Sequence, residues 1–142
     1  MPSGYTYKAL VCAVYNNGSS NFYTTKSFGN RVFITNVGHS VSGATSITSL
    51  SISDSVPGIA TEVGGTLYTT SNINAAMKLY SDSGGNFFKS YMAEIVGTGT
   101  IDSEWPGGEW SMPLFTSQTI WRKHQNTSAG YNISVNWFTL PI

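Results

Sequence analysis

Residues that turn or stop a backbone recur at short intervals along this chain, and that spacing constrains its fold more than any other feature. Asn16-Asn17-Gly18, Gly38, Gly64-Gly65, Asp82-Ser83-Gly84-Gly85-Asn86, Pro106-Gly107-Gly108 and the run from Asn126 to Gly130 divide it into short pieces. The pieces are rich in Val, Ile, Thr, Tyr and Phe, the residues that suit a pleated, half-buried surface. One stretch competes as a helix: Ile73, Ala76, Met77 and Tyr80 fall at i, i+3, i+4, i+7, with Asn72 placed to cap it. The strand reading is preferred there, because the stretch runs directly into a hairpin turn. No other segment makes a good helix.

The strands follow from the pattern. Tyr5 to Tyr15 is the first. Arg31 to Val37 is the next and is expected to end at Gly38, leaving His39 in a loop. In Ser46 to Ser53, Thr48, Leu50 and Ile52 share one face while Ile47, Ser49, Ser51 and Ser53 share the other. Ile59 to Val63 and Thr66 to Thr70 flank Gly64-Gly65, a two-residue hairpin signal. Ala75 to Ser81 and Phe87 to Val96 flank Asp82 to Asn86, whose residues supply positive φ and local side-chain bonds. Tyr131 to Trp137 alternates apolar and polar residues without a break, after which Phe138 and Leu140 bring large residues to the opposite face. About ten short strands and little helix predict an all-β, antiparallel β-sandwich of jelly-roll type, with a closed barrel as the alternative. No linker or repeat divides residues 1–142, so one domain is expected.

Composition narrows the function. Ser, Thr, Asn and Gly make up 44% of the chain and charged residues only 10%, against about 25% in an average domain. Seven basic residues balance seven acidic ones, so there is no electrostatic footprint for nucleic acid or an anionic membrane. So few charges also leave sheet edges poorly guarded, which points to coverage by partner subunits. Ala9 to Tyr15 follows a single Lys8 and stops at a turn without a small-residue cleavage site, so it reads as a strand rather than a secretory signal. Synthesis in the cytoplasm is therefore expected. Cys12, the single cysteine, sits among apolar residues and reads as a small buried hydrophobe.

Catalytic patterns are absent. His39 and His124 are the only histidines, and no H-x-E, C-x-x-C or HExxH spacing supports a zinc site. No G-x-S-x-G elbow or phosphate-binding glycine motif is present. No cofactor is expected. The densest local feature is Asp102 to Trp110, where Trp105, Trp110 and the carboxylates Asp102, Glu104 and Glu109 surround a Pro-Gly-Gly turn. It reads as a loop closing the end of the sandwich, as a subunit contact anchored on buried tryptophans, or as a saccharide site in which Trp105, Trp110 and Trp121 stack on sugar rings. Glu104 and Glu109 are the nearest thing to a glycosidase carboxylate pair. The same acids could hold Ca²⁺, but their spacing matches no EF-hand loop. Arg122-Lys123-His124 is the only basic cluster, expected at a loop end, and could pair with the acidic loop of a neighbouring copy in a head-to-tail ring or trimer.

A small all-β chain with this composition, poor in charge and without signal or cofactor motif, resembles bacteriophage virion proteins, namely capsid decoration (cement) proteins and small tail, collar or fibre modules. The alternating strand from Tyr131 to Leu140 is similar to the closing strand of trimerising jelly-roll modules. The resemblance rests on whole-chain character rather than on a motif. It implies a non-enzymatic, oligomeric building block of a virion, in contact with other virion proteins. The alternative is a lectin-like β-sandwich that binds a glycan through exposed tryptophans.

Overall fold

The computed structural model describes residues 24–69, 76–91, 108–125, 127 and 130–141. The expected first strand with Cys12, and Ile73 of the competing helix, lie outside these residues. The described chain is all-β. Its strands are β1 (Thr25–Phe28), β2 (Arg31–Ser42), β3 (Thr48–Ser51), β4 (Glu62–Thr69), β5 (Met77–Tyr80), β6 (Phe88–Tyr91), β7 (Gly108–Pro113), β8 (Thr119–His124) and β9 (Gly130–Thr139). They form a five-stranded sheet, ordered β1-β2-β9-β4-β7, and a four-stranded sheet, ordered β3-β8-β5-β6. Every pairing is antiparallel.

The sheets share one core. Val32, Val63, Leu67, Ile133, Val135 and Phe138 from the larger sheet join Met77, Leu79 and Ile120 from the smaller in a single buried cluster. Ile52 and Val56, from the connection between β3 and β4, close it. As the alternation predicts, Ile52 is buried and Leu50 half-buried while Ser49, Ser51 and Ser53 are exposed. The β5–β6 hairpin also forms as expected. Gly85 takes the left-handed conformation (φ 70°), and Asp82 accepts the Phe87 amide N–H at 3.1 Å.

Three expectations are corrected. Gly64-Gly65 does not turn: β4 runs straight through the pair, and neither glycine has positive φ. The glycines are there for proximity. A Cβ on Gly64 would run into the Trp137 indole, and one on Gly65 would run into the Ser134 carbonyl of β9. Gly38 does not end β2 either, and His39 is in the strand, opposite Ile133.

The third correction concerns β9. Tyr131, Ile133 and Val135 face the core as the alternation requires. The register then shifts against both neighbours: Gly64 and Gly65 of β4 oppose Trp137 and Val135, and Phe33 and Val37 of β2 oppose the same two residues. Against β2, Asn136 faces the three residues between Phe33 and Val37; against β4 it is the extra residue of a β-bulge. It reverses the faces, so Phe138 and Leu140 continue the core (0% and 3% exposed) while Trp137 moves to the outside of the sheet.

A candidate functional site at one pole of the sandwich

The ladders place the β1–β2 turn, the 52–61 connection, the β5–β6 turn and the 113–118 connection at one end of the sandwich. Five large hydrophobic residues are exposed among the described residues, and four of them lie at this pole: Phe28 (84%), Ile59 (60%), Phe87 (59%) and Phe115 (58%). Phe87 and Phe115 touch edge to face, with ring centroids 5.1 Å apart. An isolated exposed hydrophobe is ordinary; several gathered at one end are not.

The loops that carry Ile59 and Phe115 are tied together. Ser117 Oγ donates to the Gly58 carbonyl at 2.9 Å and Gln118 Nε2 to the Val56 carbonyl at 2.6 Å. The Ile52 amide donates to the Gln118 carbonyl at 2.9 Å, and the Leu114 amide to the Thr61 carbonyl at 2.9 Å. Gln118 itself has positive φ (53°), a backbone conformation costing of order 1 kcal/mol that its neighbours must hold. Asp54 and Asp82 are the only charged residues in these loops. Both are engaged locally. Asp82 accepts from the Phe87 amide and from Asn86, and the Phe87 bond is the main reason its carboxyl sits below the usual range. Asp54 lies 3.6 Å from His39 Nε2.

Among the described residues His39, Asp54 and Ser55 are the nearest approach to a Ser-His-Asp set, and their geometry serves the loop. Ser55 Oγ and Asp54 Oδ1 both converge on Nε2 of His39, at 3.2 and 3.6 Å, whereas a triad needs them on opposite ring nitrogens. Ser55 is fully buried and donates to the Ile52 carbonyl at 3.1 Å. Burial lowers the His39 pKa, and the Asp54 charge partly offsets it. Among the described residues no three His, Cys, Asp or Glu side chains gather as a metal site requires.

The residues singled out in the sequence are scattered. Trp105 and Glu104 lie outside the described residues. Trp110 is a core residue, 2% exposed, with its Nε1 donating to the Thr66 carbonyl at 3.2 Å, so its ring offers no stacking surface. Trp121 is half-buried on β8, in register with Tyr80. Glu109 is exposed on β7, opposite Thr66.

Arg122-Lys123-His124 is not a loop end but the last half of β8, and strand alternation splits it. Lys123 is exposed, across the ladder from Lys78. Arg122 is half-buried; its Nη1 donates to the Ser42 carbonyl at 2.7 Å, which withdraws it from pairing with a neighbour's acids. His124 is 2% exposed, its ring 4.1 Å from that of Tyr131. Its Nδ1 accepts the Ala44 amide N–H at 2.7 Å. Burial, then the Arg122 charge, push its pKa down to about 4.

No protein-family model, curated protein or solved structure matches the chain. The pole is therefore read from its own chemistry. Sequence reasoning missed its residues because Phe87 and Phe115 have ordinary strand composition. The available signal was Phe115 itself, a large aromatic in the turn-rich stretch between Pro113 and Gln118.

Proposed function

We propose that the chain is a non-enzymatic structural subunit of a bacteriophage particle, a capsid decoration protein or a tail, collar or fibre component. It assembles with copies of itself through the apolar pole and so stabilises the particle with the other virion proteins around it. The observation that carries this reading is the group of exposed large hydrophobics at one end of the sandwich, on loops whose only charged residues are Asp54 and Asp82. Such a surface suits association. Aromatic anchors dominate interface energetics, and loops already held in place lose little entropy on docking. Burying a Phe side chain contributes about 1.5–3 kcal/mol. The low charge and high Ser, Thr, Asn and Gly content support the virion assignment through the resemblance described above.

The test is solution mass by light scattering over a dilution series. An oligomer is expected, dissociating at a concentration at least tenfold higher once Phe87→Ser and Phe115→Ser are introduced together. A chain that stays monomeric at every concentration, or an oligomer indifferent to both substitutions, overturns assembly through this pole.

A further inference from the structure

The outer face of the five-stranded sheet carries a groove of about 520 Å³, within the size range of small-ligand sites. The β9 bulge builds it. By inserting Asn136, the bulge brings Asn136 and Trp137 together on the outer face, where both line the groove. Gly64 beneath lets the indole lie close to the sheet. The Arg31 guanidinium carbon sits 4.0 Å from the Trp137 ring centroid. This stacking fixes the plane of its donors, while its ion pair with Glu62 is long at 4.0 Å. Phe33, the register partner of Trp137, is 42% exposed. Thr66 and Glu109, paired across β4 and β7, form the other wall.

We infer that this groove binds a neutral saccharide. Its components match that chemistry. Exposed Phe33 offers an apolar face to the C–H face of a sugar ring. Glu109 can accept two neighbouring hydroxyls, and the Arg31 fork can donate to ring or hydroxyl oxygens. Charge selects among sugars. Arg31 and Glu109 are the charged side chains that line the groove, and Arg31 is already paired with Glu62 and stacked on Trp137. A uronic or sialic carboxylate would therefore lose its hydration beside Glu109 without a compensating cation, a cost that a neutral ring does not bear. This site is independent of the apolar pole and of the assembly role proposed for it.

The experiment is isothermal titration of the purified chain with linear oligomers of glucose, mannose and galactose, and with a galacturonate oligomer as the anionic comparison. At least one neutral oligomer is expected to bind with a Kd below about 1 mM. Glu109→Ala and Phe33→Ala, both at exposed positions, should each weaken it at least tenfold with an unchanged thermal transition. The pole variant Phe115→Ser should bind like the parent, which separates failure of this inference from failure of the assembly role. Lack of binding by all three neutral oligomers overturns the inference. So does equal binding of the galacturonate oligomer, or binding indifferent to both groove substitutions.

Discussion

Gly65 and His124 each have an environment that one substitution can test. At Gly65 a Cβ would lie 2.8 Å from the Ser134 carbonyl carbon and 3.1 Å from the Val135 Cα, both backbone atoms of the central strand. Neither can move without the sheet, so Gly65→Ala is expected to cost about 3 kcal/mol in urea unfolding. Gly38→Ala meets only the tip of the Asn132 side chain, at 3.1 Å, and should cost less than about 1 kcal/mol. His124 makes the fold sensitive to acid. Above pH 6.5 its ring is neutral in both folded and unfolded chains. As the pH falls the unfolded chain takes up a proton first, and the folded chain follows only near its pKa of about 4. Stability therefore falls between these values and levels off below, by roughly 3 kcal/mol in all. The measurement is the difference in unfolding free energy between the parent and His124→Gln at pH 7, 6, 5 and 4. The parent should lose its advantage across that window.

At the scale of the element, β9 shows where periodicity informs and where it stops. The alternation from Tyr131 to Val135 was legible, and so was the arrival of Phe138 and Leu140 on the other parity. Which side of the sheet each set would occupy was not. The answer depends on the register with β4, against which Asn136 is inserted, while β2 sets three residues opposite it. The glycine pair of β4 misled for the same reason: its small side chains serve a neighbour, and a single strand carries no trace of what lies beside it. The β5–β6 hairpin was legible because its turn is held by its own Asp82, Gly85 and Asn86. Deleting Asn136 removes the extra residue and leaves Phe138 and Leu140 in phase with Val135, so the core face is kept while the bulge is lost. The cooperative calorimetric transition should then persist, at a lower temperature because the ladder to β2 must readjust. Asn136→Gly keeps the extra residue and should unfold within about 1 kcal/mol of the parent, while Phe138→Ala, which empties a fully buried site, should lose about 4 kcal/mol.

The whole molecule has little charge, and four of the five exposed large hydrophobics among its described residues gather at one end. The scarcity of charge was plain in the composition, and it directed attention to partner subunits. The location of the contact was not legible, because the pole comes together from four connections far apart in sequence. The basic cluster suggested an electrostatic contact; strand alternation leaves Lys123 exposed, half-buries Arg122 and turns His124 inward. The two kinds of contact respond oppositely to salt. In 1 M NaCl, where screening acts within about 3 Å, an ion-paired assembly dissociates. Assembly through Phe87 and Phe115 should keep its mass there and tighten in sodium sulfate, read by light scattering. The sheet order also governs how the chain is made. β2 and β4 share no ladder; β9 joins them, and the Asn30–Leu140 bond beside it spans 110 residues. A ribosome adding about 5–20 residues per second leaves roughly 5–20 s between the emergence of the two ends of that bond. Throughout that interval the seat of β9 stands vacant on the nascent chain. Any strand of matching alternation can occupy it, including the β9 of a neighbouring chain on the same messenger.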